Sequence, residues 1–429
     1  MVTMNRRDFV KLSVLSGIGL GLPMLPKPLM ASTGPFAGPY LIMVNAIGGW
    51  DPTSFCDPKG MQSETELNPV NTNYFSGDIV SAGNIPYAPI GYNQTFFEKY
   101  HQRLVVMNGI DVGTNNHDTG RKTVFSGRGD RTEYPSLAAL YAAIQANNLP
   151  MSYLSFGGYD SSGELVSPAR VGDVGDLRLL AQPNHISATN SSTFHSDYAY
   201  GRIRQAVLSR LERVQEKHGL PQHRTQSASL HGARLGENIL QELNTHLPEE
   251  LASDPDNTVR QFKRQAQVIM AAFKSGAAVS ANAVLGGFDT HGNHNNNQTL
   301  QLSRLFQGLD YLYEEIDRQG LSDLVYVVVG SDFGRTPYYN AGNGKDHWGT
   351  TSMMASGPGI TGNRVVGATD GGVNHLNIDP ATLNVVSEGG LTLEPKHIHA
   401  SLRQALGIHD HLLSAEFEVF GQVLPGLFA

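Results

Sequence analysis

The chain has 429 residues, 40% hydrophobic and 16% charged, with 31 basic against 39 acidic side chains and a formal net charge of −8. That acidic balance argues against nucleic acid as a partner, and the hydrophobic share is enough for a large buried core. Cys56 is the only cysteine, so an intrachain disulfide is excluded and the fold has to rest on its core.

The N-terminus reads as an address. Asn5-Arg6-Arg7-Asp8-Phe9-Val10-Lys11 precedes a moderately apolar stretch from Leu12 to Leu25, and an arginine pair before a short apolar region is the twin-arginine export pattern. Residues 1–31 are therefore expected to be a signal segment, cleaved near Met30-Ala31-Ser32 or retained as an anchor, with the export machinery as a partner. No stretch reaches the ~18 continuous apolar residues of a membrane span. The remaining residues, 32–429, are expected to form one α/β domain, soluble and periplasmic or secreted.

Strand-like runs then alternate with amphipathic patterns. Tyr40 to Ala46 is the first strand and closes in Gly48-Gly49-Trp50-Asp51; Arg103 to Ile110 is the second and leads into Asn115-Asn116-His117-Asp118-Thr119-Gly120-Arg121. Pro135 to Asn147 carries Leu137, Leu140, Tyr141 and Ile144 on one helical face, and Met151 to Phe156 is again strand-like. Asn190 to Thr193 reads as a linker into Asp197 to Gln267, a long, charged, helical stretch expected to be an insertion on the sheet. Val279 to Phe288 is a buried strand ending in Asp289-Thr290-His291-Gly292-Asn293-His294. Gln298 to Arg318 is a helix, and Leu324 to Gly330 a strand ending in Ser331-Asp332-Phe333-Gly334-Arg335, soon followed by Lys345-Asp346-His347-Trp348. Such alternation predicts a mostly parallel sheet with helices on both faces.

The chemistry sits where these strands end. Open α/β sheets place their sites beyond the carboxyl ends of their strands, and here four such ends carry carboxylates or imidazoles. A single Asp or His in a Gly/Asn-rich loop is ordinarily a solvated turn residue. Gathered together, Asp51, Asp289, His291, His294, Asp332, Asp346 and His347 offer oxygen and nitrogen donors suited to one or two divalent ions, with Zn, Mn, Mg and Ca all open.

These motifs, in this order, resemble the alkaline phosphatase and sulfatase superfamily, and within it a branch of twin-arginine-exported proteins carrying Phe-Asp-Thr-His, Ser-Asp/Glu-Phe-Gly-Arg-Thr-Pro and Asp-His blocks. The resemblance runs from Tyr40 onward. It implies metal ligation by Asp51, by Asp289 with His291 or His294, by Asp332 and by His347. Phe333 stands where the superfamily has a histidine. A phosphatase would offer Ser or Thr where this chain has Asn116 or His117, with Thr119 the nearest hydroxyl apart from Thr114. Cys56-Asp57-Pro58-Lys59-Gly60 shares Cys-x-Pro with the sulfatase motif, but Gly60 replaces its arginine, so Cys56 is expected to be a structural thiol.

The resemblance therefore implies an exported metal-dependent hydrolase of phosphate or sulfate esters acting on a small anionic substrate. In it His117 would act as general acid or ligate, Asn116 or His117 would stand at the nucleophile position with Thr119 a nearby hydroxyl, and Arg335 would fork onto two oxygens of the anion. The alternative is a non-catalytic periplasmic or surface protein for binding or assembly that keeps the fold and a partial metal site.

Overall fold

The first long strand, β1 (Tyr40–Ile47), is buried along almost its whole length because it has neighbours on both edges and helices on both faces. Near-continuous apolar sequence is what such a position requires. The computed structural model describes residues 36–428 apart from 147–148, 150, 172–173, 188–190 and 218–236. The expected signal segment, Asn190 of the expected linker and the middle of the expected insertion, Leu235 included, lie outside the described residues.

In chain order the further strands are β2 (Gly60–Met61), β3 (Asn71–Phe75), β4 (Val80–Ala82), β5 (Ile85–Tyr87), β6 (Val105–Asp111), β7 (Tyr153–Ser155), β8 (Pro168–Arg170), β9 (Ser280–Gly286) and β10 (Val325–Ser331). Then come β11 (Gly334–Arg335), β12 (His347–Trp348), β13 (Thr350–Ser356) and β14 (Arg364–Val366). Eight of them form the central sheet in the order β14-β6-β13-β10-β1-β9-β7-β8, parallel except where β13 pairs antiparallel with β10 and β6. The sheet is thus mixed rather than purely parallel. Strand β13, Thr-Thr-Ser-Met-Met-Ala-Ser, went unseen in the sequence because it is buried on both faces yet carries small hydroxyl residues in place of Val and Ile.

Among the described residues the α-helices are α1 (Asn93–Tyr100), α2 (His117–Ser126), α3 (Leu137–Ala146), α4 (Val174–Ala181), α5 (Asp197–Lys217), α6 (Glu237–His246), α7 (Asn257–Lys274), α8 (His294–Arg318), α9 (Pro395–Ala405) and α10 (Leu412–Glu416). Successive strand residues feed opposite cores. Ile42, Val44, Val327 and Val329 pack with Phe262, Phe273, Leu305 and Phe306 of α7 and α8. Leu41, Met43, Tyr326 and Val328 pack with Val124, Phe125, Leu137 and Ile398 of α2, α3 and α9. Each fully buried Leu, Phe or Ile contributes roughly 1.5–3 kcal/mol.

Two helix boundaries differ from expectation for local reasons. Helix α8 starts at His294, a turn before Gln298, because Asn293 adopts the left-handed conformation (φ 47) and turns the chain into the helix. Helix α7 runs through the expected insertion boundary at Gln267 and packs on β9 and α8, with Asp256 capping its start through the Thr258 and Val259 amides. It therefore covers the sheet itself.

Candidate metal centre

The parallel strands β10, β1 and β9 lie side by side and end at the same level: Ala46 pairs with Ser331, and Ile47 with Gly286. Their next residues deliver Asp332, Asp51 and Asp289 to one sheet edge. β6 ends on that edge too and feeds His117 at the start of α2, while β13 begins there, just after His347. The Ser331 hydroxyl fixes the exit of β1 by accepting the Gly49 and Trp50 amides, at 3.1 and 2.9 Å. Gly48 makes the approach of two loops feasible: its φ is +121, and a Cβ there would stand 2.5 Å from the Asp289 nitrogen. Gly120 does the same for α2, where a Cβ would lie 2.4 Å from the Asp332 carbonyl oxygen.

Four side chains converge at the mouth. Ligand atoms of His117, Asp289 and His347 all lie within 4.8 Å of one another. Asp289 Oδ1 is 3.3 Å from His347 Nε2 and 3.1 Å from His291 Nε2, and its Oδ2 is 3.5 Å from His117 Nε2. The outer nitrogens are all committed. His347 Nδ1 lies 2.8 Å from the Asn115 carbonyl, which only accepts, so this nitrogen carries the proton. His117 Nδ1–H donates to Asp332 Oδ2 at 2.7 Å, and His291 Nδ1–H to Asp346 Oδ1 at 2.9 Å. In these tautomers all three Nε2 atoms present lone pairs inward, and those of His291 and His347 are only 2.9 Å apart. Two facing lone pairs beside a carboxylate need a proton or a cation between them. His117 Nε2 and Asp332 Oδ1 are moreover buried without a hydrogen-bond partner, as expected of a nitrogen placed to bind an ion. Phe333, fully buried, floors the cluster, with its ring centroid 4.7 Å from that of His117 and 4.5 Å from that of His347.

Burial acts to raise the Asp289 carboxyl, but the Arg335 guanidinium, 2.8 Å away, and the facing histidines outweigh it and hold the group below the ordinary carboxylate range. Asp346 is held low chiefly by its hydrogen bond from His291. Asp332 is pushed up by its burial, which the His117 and Arg121 side chains only partly offset.

Several expected ligands stand elsewhere. Asp332 and Asp346 do not join the converging donors; they accept from His117 and His291 and set the orientation of those rings. Asp51 and His294 form a second, fully buried cluster: Asp51 Oδ2 accepts from Lys345 Nζ at 2.7 Å and from His294 Nε2 at 2.8 Å, and Asp51 Oδ1 accepts the Thr53 amide and hydroxyl. Burial works to raise the Asp51 carboxyl, yet the Lys345 ammonium and the His294 ring hold it below the usual range, while burial pulls both Lys345 and His294 down. Lys345 was missed as a site residue. Its signal was its place beside Asp346 and His347, next to carboxylates that need a cation.

The expected catalytic set is also rearranged. Arg335 cannot fork onto a substrate: it is buried, and donates to the Gly48, Gly49 and Lys345 carbonyls and to Asp289. Asn116 caps α2, its side chain accepting the Thr119 amide at 3.1 Å. Thr119 lines a separate open pocket of about 570 Å³ with Thr123, Arg128 and Lys396. Cys56 is buried, its thiol donating to Asn108 Oδ1 at 3.4 Å.

The sequence matches the family model described as "Protein of unknown function (DUF1501)" over residues 39–417, and the chain belongs to that family. No curated protein matches it. Among solved structures it is similar to Ps i-CgsB (8% identity, 91% of this chain and 76% of that one covered, TM-score 0.43) and to a putative sulfatase from Bacteroides thetaiotaomicron (10% identity, 90% and 74% covered, TM-score 0.37). It is also similar to a TAB5 alkaline phosphatase mutant with Mg bound in its M3 site (9% identity, 76% and 94% covered, TM-score 0.33). At such identities and TM-scores these are distant likenesses, and membership of the family rests on the sequence match. Among the described residues no helix is long and apolar enough to cross a membrane.

Proposed function

We propose that this protein holds one divalent ion on His117, Asp289 and His347 and hydrolyses phosphate or sulfate esters of small anionic substrates outside the cytoplasm. The observation that carries the reading is the convergence of three Nε2 lone pairs on one carboxylate, each ring tied at Nδ1 to an acceptor behind it. Imidazole-rich ligation with one carboxylate favours Zn²⁺ over Mn²⁺, Mg²⁺ or Ca²⁺, which prefer oxygen. Bound there, the ion would polarise an ester oxygen and acidify a water molecule.

The chain's own groups do the rest. Asp332 keeps His117 in one tautomer, and the Asn115 carbonyl does so for His347. His291 is the most exposed of the three histidines, at 46% of its side chain, against 29% for His117 and 22% for His347. With Asp346 behind it holding the Nδ1 proton, His291 Nε2 presents its lone pair to the mouth and can take a proton from the attacking water and pass that proton to the leaving oxygen. Arg335 balances the charge of Asp289 from below, and Phe333 keeps water from beneath the ring cluster.

Metal analysis of the natively exported protein, then a screen of phosphate mono- and diesters and sulfate esters with that metal restored, tests this reading. Asp289→Asn keeps the size and removes the charge, so hydrolysis should fall by orders of magnitude while the fold survives. Activity insensitive to chelator and to Asp289→Asn would refute it. A non-catalytic binding protein is the second reading, favoured by Thr119 lining a separate pocket and by Arg335 being buried with its donors spent on Asp289 and backbone carbonyls; it predicts an ion that raises thermal stability with no turnover in the parent.

A further inference from the structure

We infer that Lys345 is a built-in cation occupying what would otherwise be a second metal site, so that this chain takes no ion at Asp51 and a form lacking the Lys345 side chain takes one there. This deepens the metal reading above, and its test separates the two. Asp51, His294 and Lys345 are each fully buried, so their side chains are not in contact with bulk water. The ammonium is surrounded by groups that cations seek: Asp51 Oδ2 at 2.7 Å, Thr53 Oγ1 at 3.5 Å and the face of the Tyr339 ring, 5.2 Å to its centroid. His294 Nε2 lies on the same carboxylate oxygen at 2.8 Å.

Asp51 Oδ2 thus carries both the lysine nitrogen and an imidazole nitrogen, with the Thr53 hydroxyl beside the ammonium, and these are donor types that ligate a metal. The Thr290 hydroxyl at His294 Nδ1, 2.8 Å away, can accept from that nitrogen and so serve the tautomer whose Nε2 is free. The backbone fixes the lysine: its amide donates to the Thr290 carbonyl at 3.1 Å, and its carbonyl accepts from Arg335. A single positive charge on a tethered stem therefore fills a place built of donors for a mobile one. The same stretch of chain, Lys345 to His347, supplies a fixed cation to one cluster and an ion ligand to the other.

The test counts ions. Parent and Lys345→Ala are dialysed to equilibrium against Zn²⁺ or Mn²⁺ alone, and bound metal is measured per chain together with the melting temperature. Lys345→Ala should bind one more ion than the parent, and that ion should raise its melting temperature by more than metal raises the parent's. Adding Asp51→Asn should abolish the extra ion. Equal counts in Lys345→Ala and parent would overturn the inference, as would two ions in the parent. A parent with no ion would instead fail the His117–Asp289–His347 centre, and the difference between variant and parent would still decide the role of Lys345. Should the alanine variant not fold, the parent count alone decides: one ion or none at saturation supports the inference, and two refute it.

Discussion

Replacing Asp332 with Asn probes whether the sheet edge is organised around an ion. Asp332 is fully buried; its Oδ2 accepts from His117 Nδ1 at 2.7 Å and from the Gly48 amide at 3.2 Å, while Oδ1 has no partner. The amide oxygen of Asn can still accept from His117, and the new NH₂ falls where the unpartnered oxygen stood, so shape and packing are kept. What disappears is the charge that makes the opposite nitrogen of His117 a stronger donor to a metal. Loss of such an orienting carboxylate typically costs 10–100-fold in affinity, about 1.4–2.7 kcal/mol. Competition against a chromogenic chelator at fixed pH measures the affinity, and thermal melting of the metal-free protein measures the fold. Metal affinity should drop in that range, with the metal-free melting temperature unchanged or raised, since a buried charge has gone. Unchanged affinity with a lower metal-free melting temperature would mean that Asp332 only supports the fold, and the argument from ring orientation would fail.

Arg335→Met should destabilise the protein by roughly 3–5 kcal/mol in urea unfolding, because it leaves the buried Gly48, Gly49 and Lys345 carbonyls without a donor; a raised KM at unchanged stability would instead restore Arg335 as an anion-binding residue. His399 is buried, with burial pulling its pKa from 6.5 down to about 3. Its folded value lies below its unfolded one, so stability should fall as pH drops from about 6.5 toward 3, by up to about 4–5 kcal/mol, and His399→Gln should flatten that slope in urea titrations at pH 7 and 5. Arg6→Lys with Arg7→Lys should leave the precursor inside the cell; undiminished periplasmic protein on fractionation would show that another route is used.

The strands most legible in the sequence are those buried on both faces, β1, β9 and β10, because their position between neighbours demands a near-continuous apolar run, broken only at places such as Asn45 and Asn282. The sheet edge was legible for the same reason: once the strands are placed, the residues after them must share an edge. Which carboxylate joins the converging histidines was not legible. Asp51, Asp289 and Asp332 occupy equivalent places at the ends of adjacent strands, and their different roles depend on which cation lies behind each, Lys345, Arg335 or the His117 ring. Those partners come from far along the chain. Asn115 acts through its backbone carbonyl, for which side-chain identity carries no signal, and Phe333 shows only in three dimensions that it floors two imidazoles.

The pairing of charges at this edge bears on how an ion would couple to folding. In a site of unpaired carboxylates the ion supplies the missing charge, and the metal-free chain is strongly destabilised. Here Asp51 has Lys345 and Asp289 has Arg335, while Arg335 also donates to the carbonyl of Lys345, so the two clusters brace each other through neutral and charged bonds alike. The group left most dependent on a cation is the set of facing Nε2 lone pairs, and a proton on one ring relieves it. The fold can therefore form before the ion arrives, and chelation should lower the melting temperature only by the binding linkage, rising with metal concentration as RT ln(1 + [L]/Kd).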